Sequence, residues 1–222
     1  MNLEIEEVVS NIAPSLQVIM IEADVTNSPT TPQLKEELES LAAKIAATYE
    51  LPDINKRPGI AATRAAYKAL GKEPNRYRPS CEAMCRRIVK GMGLYYINNL
   101  VDLINVLSIA SGYSIGGFDA DKIEGDTLRL GAGREGEPFE GIGRGVLNIH
   151  CLPVYRDDAG GIGTPTSDNE RTKLDLDTTR LLMCINIYGE EMSPADTEAL
   201  AIDLLKRHAA ARNIKVTRHH VN

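Results

Sequence analysis

The sequence lacks several features of membrane, secreted and generically nucleic-acid-binding proteins. It has no apolar run approaching the roughly 18 residues that a membrane-spanning helix needs. Residues 1–10 mix acidic with aliphatic side chains, where a signal peptide carries a basic start and an apolar core. Its 31 Asp and Glu outnumber its 25 Lys and Arg, a net charge of −6 that excludes a uniformly basic nucleic-acid binder. We expect a soluble, cytoplasmic protein with no membrane partner.

Common metal and cofactor motifs are also missing. The four cysteines, Cys81, Cys85, Cys151 and Cys184, form no Cys-x-x-Cys pair, and we expect them to be reduced thiols. No His-Glu-x-x-His motif, phosphate-binding P-loop or dinucleotide fingerprint occurs. The sequence therefore predicts no metal and no cofactor.

The net charge conceals a local excess of positive charge. Residues 56–90 hold ten basic side chains and two acidic ones. Such a density attracts phosphates at short range even on an acidic protein. We predict a basic patch in which Arg64, Arg86 and Arg87 bind RNA phosphates. The alternative is that these charges are simply the solvated faces of helices.

Hydrophobic periodicity and helix-capping signals predict an α+β fold. Strands are expected at residues 2–9, 16–25 and 181–188, with short strands in hairpins between 116 and 155 and a last strand at 214–217. Helices are expected from Pro32 to before Pro52, from Pro58 to a stop at Gly71, and at residues 79–90, 94–110 and 193–212. Residues 157–173 are expected to form a loop. Strands and helices grouped in this way indicate a mixed or antiparallel sheet with flanking helices. We expect residues 1–222 to form a single domain.

The loop at residues 160–172 is the part of the chain richest in small and polar groups. Its glycines, hydroxyls and charges can present donors to a small polar ligand, although a solvent-exposed turn has the same composition. Asn98, Asp102 and Asn105 follow one another at helical spacing, which would place them on one helix face.

A segment at residues 98–106 and further pieces between residues 117 and 183 follow one another along the chain. Together they resemble the B3/B4 domain, the editing domain of the phenylalanyl-tRNA synthetase beta subunit. Residues 98–106 resemble its Asn-Asn-x-Val-Asp-x-Thr-Asn-Tyr segment, with Ile104 at the usual threonine. Residues 117–125 and later pieces at 129, 136–137, 140–141, 163–167 and 178–183 are similar to its following motifs. The resemblance covers about residues 60–190, with an N-terminal β-β-α and a C-terminal α-β extension expected to pack on it.

The resemblance implies a B3/B4-like fold with a pocket for the aminoacyl end of a mischarged tRNA. In the synthetase this pocket hydrolyses the wrong ester, so a separate copy is expected to edit in trans, or to bind tRNA or a free amino acid. We expect no ligase activity, because 222 residues leave no room for an aminoacylation core. The sequence departs from the family at Gly116, where the family has histidine, and at Cys184, where it has glutamate.

Two functions from different classes follow. The first is binding of tRNA or an aminoacyl-tRNA end, with ester hydrolysis in which Asp168 or Glu140 orients water. The second is a non-catalytic module for a small amino-acid-like ligand, in which Arg78 or Arg171 pairs with a carboxylate or phosphate and Asn99 orients an amino group. The predicted substrate-binding residues are Gly163, Thr164, Ser167, Arg171, Thr172, Asn99 and Arg78.

Overall fold

The computed structural model describes residues 1–221. Its helices are α1 (Glu7–Ile12), α2 (Pro32–Thr48), α3 (Pro58–Ala69), α4 (Ser80–Val89), α5 (Asn99–Ser111) and α6 (Pro194–Ala209). Its strands are β1 (Asn2–Ile5), β2 (Gln17–Asp24), β3 (Ser114–Asp119), β4 (Thr127–Ala132), β5 (Glu140–Gly141), β6 (Gly145–Val146), β7 (Pro153–Arg156), β8 (Gly161–Gly163), β9 (Arg180–Ile187) and β10 (Arg212–His220). Short 3-10 turns lie at Ile54–Lys56, Ala120–Lys122 and Glu170–Thr172.

Two four-stranded sheets organise the chain. The first has the order β10-β2-β9-β3 and is antiparallel throughout. The second has the order β1-β4-β7-β8, in which β1 runs parallel to β4 and the other pairs are antiparallel. Strands β5 and β6 form a separate hairpin. The α+β prediction with mixed and antiparallel sheets is confirmed, and the first and last segments of the chain meet where β10 pairs with β2.

Side-chain alternation along β2 shows how the layers stack. Ile19 and Ile21 belong to a core shared with the helices, whereas Val18 and Met20 belong to a core shared with the second sheet. Successive strand residues point to opposite faces, so the first sheet is covered on both sides. The layers therefore run helices, first sheet, second sheet.

The structure corrects the expected strand at residues 2–9. Strand β1 ends at Ile5, and the chain then forms the short helix α1. The β-branched pair Val8 and Val9 favours a strand locally. In the fold Val9 is fully buried while Val8 is 42% exposed, and packing of Val9 outweighs that local preference. The expected loop at 157–173 likewise contains β8 and a 3-10 turn.

Helix α5 begins later than expected. The side chain of Asn98 accepts a hydrogen bond from the backbone N–H of Val101 at 3.0 Å, which makes Asn98 the N-cap. Asparagine is favoured at this position because it satisfies a backbone donor that has no helical partner. Residues 91–97 therefore form an irregular connection outside the helix. Asn98 precedes the first turn of α5, so it does not share a helix face with Asp102 and Asn105 as predicted.

A buried carboxylate joins α3 to α4. Glu82 is 1% exposed and lies 2.8 Å from the Nη1 of Arg64. Arg78 and Arg86 approach the same carboxylate at 3.8 Å. Removing one partner of a buried ion pair leaves an uncompensated charge in the interior.

We predict that Glu82→Ala lowers the free energy of unfolding by about 3–5 kcal/mol, because the guanidinium of Arg64 loses its counter-charge. Urea unfolding followed by circular dichroism measures this loss. The matched control is Glu36→Ala on the exposed side of α2, which should change stability by less than about 0.5 kcal/mol. Equal losses for the two variants would contradict the role of Glu82.

Candidate ligand pocket and basic groove

A pocket of about 460 Å³ opens between the N-terminal half of α5, strand β3 and the 164–176 segment. Its walls are largely aliphatic and include Val101, Ile104, Ile115 and Leu174. The polar and charged lining residues come from separate parts of the chain: Ser80, Asn98, Asn105, Thr164, Ser167, Asp168, Lys173 and Asp175. Apolar walls with a few convergent polar groups are typical of small-molecule sites.

Asp168 is the titratable group whose properties fit a reactive site best. Its Oδ2 accepts a hydrogen bond from the backbone N–H of Gly117 at 3.3 Å. The protein around the carboxyl displaces water without supplying a counter-charge, and this desolvation raises the pKa of Asp168 to about 7. The residue is half-buried and lines the pocket. A carboxyl that exchanges its proton near neutral pH suits general acid–base chemistry.

The turn that carries Asp168 is held by its own hydrogen bonds. Thr164 accepts bonds from the backbone N–H groups of Thr166 and Ser167 at 3.1 and 3.0 Å. The N–H and hydroxyl of Thr164 both donate to the carbonyl of Ser167 at 3.0 Å. These donors are consumed within the turn, which fixes Asp168 but leaves few backbone N–H groups for a ligand.

Of the predicted substrate-binding residues, Thr164 and Ser167 line the pocket, and Gly163 forms a bridge with Asp168 in the same turn. Arg171 lies elsewhere, where its Nη2 donates to Asp157 at 2.7 Å and lowers the pKa of that carboxyl against the opposing effect of burial. Thr172 is fully buried.

Asn99 and Glu140 also lie outside the pocket lining. The Asn99 amide accepts a bond from the backbone N–H of Thr31 at 3.2 Å and donates to the carbonyl of His208. This arrangement ties α5 to the start of α2 and the end of α6. Glu140 is exposed on the β5–β6 hairpin.

Two of the positions that differ from the family motif, Gly116 and Cys184, lie outside the pocket lining, whereas the third, Ile104, forms part of its wall. Gly116 pairs with Cys184 across β3 and β9, and Cys184 lies in the core between the two sheets. A Cβ at Gly116 would lie 2.6 Å from the ring of Phe118, so that ring fills the space of a side chain. Burial raises the pKa of the Cys184 thiol far above its usual range, which keeps it protonated.

A second concave surface, the basic groove, lies along α4. Cationic side chains line it together with Ala83 and Met92, namely Arg76, Arg78, Arg86, Arg87, Lys90 and Arg144. No acidic residue among the described part of the chain lines it. The predicted clustering of Arg86 and Arg87 is therefore found, whereas Arg64 is buried and donates to Glu82, Asn75 and the carbonyl of Pro74.

Two short segments bring the pocket and the basic groove together. Arg78 lines the groove and Ser80 lines the pocket; Arg144 lines the groove and Ile142 lines the pocket. Consecutive Cα atoms are about 3.8 Å apart, so residues two positions apart are near neighbours. The two concavities therefore border each other at these two points.

Ser80 and Arg144 were not among the predicted site residues. Ser80 opens α4 directly after Arg78 and Pro79. Arg144 lies in a glycine-rich hairpin 54 residues beyond Lys90, the end of the basic segment (144 − 90 = 54), and only the tertiary fold brings it to the groove. Within residues 1–221 no three His, Cys, Asp or Glu side chains are grouped to hold a metal ion, and no helix has the length and apolar character to cross a membrane.

The sequence model of the B3/4 domain matches residues 62–218. The phenylalanine–tRNA ligase beta subunit of Bartonella henselae is 35% identical over 111 residues, covering 49% of this chain and 14% of that protein. The corresponding subunit of Bartonella quintana is 34% identical over 97 residues, covering 43% of this chain and 12% of that protein. The chain thus spans a small part of these relatives.

An N-terminal fragment of the phenylalanyl-tRNA synthetase beta subunit from Pyrococcus horikoshii aligns over 98% of this chain and 53% of that fragment. Its TM-score is 0.47 at 12% sequence identity. The family assignment is carried by the sequence match, which spans most of the chain and includes α5 and the strands β3 and β9 around the pocket. The chain belongs to the B3/4 domain family.

Proposed function

We propose that this protein binds the aminoacylated 3′ end of a tRNA and hydrolyses mischarged esters in trans. The observation that carries the proposal is that an aliphatic pocket borders a groove of cationic side chains. An aminoacyl-tRNA end has the matching chemistry, because an amino-acid side chain adjoins a ribose and a chain of phosphates.

Each half of this surface has a defined task in the proposal. The walls formed by Val101, Ile104 and Leu174 receive the amino-acid side chain. Guanidinium groups in the basic groove bind the acceptor phosphates, since their planar donor sets match phosphate oxygens. The substrate class is therefore an ester of an apolar or aromatic amino acid.

The hydrolytic step requires one base. The Asp168 carboxylate takes a proton from a water molecule while the water oxygen bonds to the ester carbonyl carbon. The tetrahedral intermediate then collapses, and the bond to the ribose oxygen breaks. That oxygen takes the proton held by the Asp168 carboxyl. The hydroxyl of Ser80 and the amide of Asn105 line the pocket and can donate hydrogen bonds to the developing oxyanion.

One observation favours the second candidate, a binding module without turnover. The backbone N–H groups of Thr164, Thr166 and Ser167 are already bonded within the turn. Gly116 and Cys184 also leave the family's histidine and glutamate positions without a polar counterpart. In that case the same pocket holds a small amino-acid-like ligand, and the titration of Asp168 regulates its binding.

We predict that the protein accelerates loss of the ester from one mischarged tRNA in a panel of correctly and wrongly charged species. The rate should rise with pH up to about 7 and then level, because the carboxylate form of Asp168 is the base. Asp168→Asn should reduce the rate by about 10²–10⁴-fold, the usual range for loss of a general base.

The matched control for this assay is Asp203→Asn, on the exposed side of α6, which should leave the rate unchanged. Wild-type protein that binds an amino acid or tRNA but accelerates no deacylation would establish the non-catalytic module instead.

Stability should also report the titration of Asp168. Between about pH 4 and pH 7 the folded protein keeps a proton that the unfolded chain releases, so stability from this group falls as pH rises and then levels above pH 7. Asp168→Asn removes that penalty. We expect the variant to be more stable than wild type by about 1–3 kcal/mol at pH 8 and by less at pH 5. A gain that does not change between these pH values would contradict a raised pKa.

The basic groove predicts salt-dependent tRNA binding. Lys90 and Arg144 are exposed and line the groove, and replacing either with Ala should lower the slope of log affinity against log salt by about one. Lys206→Ala is the control, because Lys206 is exposed on α6 and lines neither concavity. Fluorescence anisotropy over a salt series measures the slopes, and equal slopes for all three variants would exclude the groove as the phosphate site.

A further inference from the structure

The connection between α4 and α5 exposes large apolar side chains that are not packed into a hydrophobic core. Met92, Tyr95 and Ile97 are 58%, 69% and 61% exposed. Gly91 and Gly93 have φ of +68° and +66°, left-handed backbone that turns the chain sharply out of α4. The segment therefore holds these side chains on the surface.

This segment spans the two halves of the candidate site. Met92 lines the basic groove, and Ile97 lines the pocket. Tyr95 lies between them along the chain. A strand whose phosphates occupy the groove and whose terminal group occupies the pocket can therefore run along this segment.

Tyr95 is fixed in place by Arg87. The guanidinium of Arg87 lies over the Tyr95 ring at 4.5 Å from its centroid. The same guanidinium donates to the carbonyls of Gly93 at 3.2 Å and Met92 at 3.4 Å. These bonds anchor the cation to the segment itself, so ring and cation form one prearranged stacking unit.

We infer that Tyr95, backed by Arg87, is a stacking platform for an unpaired nucleobase of a single-stranded RNA end. The inference rests on the proposed function and extends it by naming how the strand between groove and pocket is held. Bases stack on exposed aromatic rings in single-strand-binding proteins, and arginine strengthens such stacks.

Charge complementarity selects RNA over a protein partner. The platform adjoins a groove lined by six cationic side chains, which suits a polyanion that carries planar bases. Neighbouring Tyr96 is engaged otherwise: its hydroxyl donates to Glu39 at 2.8 Å and Lys35 lies 4.8 Å from its ring centroid. Tyr95 is therefore the ring of this pair without an acidic neighbour bonded to it.

The test compares two labelled RNAs by fluorescence anisotropy, a hairpin with an unpaired four-nucleotide 3′ end and the same hairpin with a blunt end. Tyr95→Ala should weaken binding of the first by about 5–100-fold, the range for loss of one base stack. It should leave binding of the blunt hairpin unchanged. Tyr95→Phe should bind as wild type does, because it keeps the ring, and Val8→Ala controls for removal of an exposed apolar side chain far from the site.

The salt dependence separates stacking from phosphate contact. Tyr95→Ala should keep the wild-type salt slope, since no phosphate contact is lost. Wild-type affinity of Tyr95→Ala for the unpaired end, or equal loss on both RNAs, would overturn the platform and leave the groove and pocket proposal standing. Failure of the wild-type protein to bind either RNA would overturn both. A dimer in light scattering that Tyr95→Ala dissociates, with RNA affinity unchanged, would assign the segment to self-association instead.

Discussion

The buried carboxylate of Glu82 is the constraint on which the site depends. Its ion pair with Arg64 holds α4 against α3. The two ends of α4 then position side chains of the pocket and of the groove. The N-terminal end of α4 supplies Ser80 to the pocket. The C-terminal end supplies Arg86 and Arg87 to the groove. One negative charge below the surface also reduces the mutual repulsion of the arginines that surround it.

The first sheet separates the pocket from the core between the two sheets, although residues of the family motif lie on both of its faces. On its helix side, Gly117 and Ile115 border the pocket. On its other side, Phe118 and Cys184 belong to the core shared with the second sheet. Neighbouring strand residues face opposite ways, so Gly116 points into that core while Gly117 borders the site. Chemistry in this chain is therefore proposed for Asp168, which enters from the turn after β8.

Local signals predicted the starts of α2, α3 and α6, because capping residues and prolines mark these positions. Thr31 and Ser193 are N-caps, and Pro58 opens α3 as expected. The strand expected at residues 2–9 was wrong beyond Ile5, where packing of Val9 decided the conformation. The basic segment could be recognised from composition. Which of its arginine side chains are buried and which are exposed could not. Arg64 and Arg87 differ in burial because of tertiary contacts that spacing does not encode.

The same limit applies to the pocket. Thr164, Ser167 and Asp168 stand out in the sequence as a polar turn, and they do line the pocket. Arg171 belongs to the same polar run yet pairs with Asp157. Its direction depends on the 3-10 turn that follows Asn169, which composition does not reveal. Ser80 and Arg144 reach the site from distant segments, so only the tertiary fold reveals that they contribute to it.

The most direct measurement is a crystal structure with a short hairpin RNA whose 3′ adenosine carries an amino acid through a non-hydrolysable amide. We expect the amino-acid side chain to lie against Ile104, the amide carbonyl near Asp168, and the phosphates beside the arginines of the groove. An analogue bound elsewhere on the protein, with the pocket and groove both vacant, would contradict the central claim that the two concavities form one binding surface.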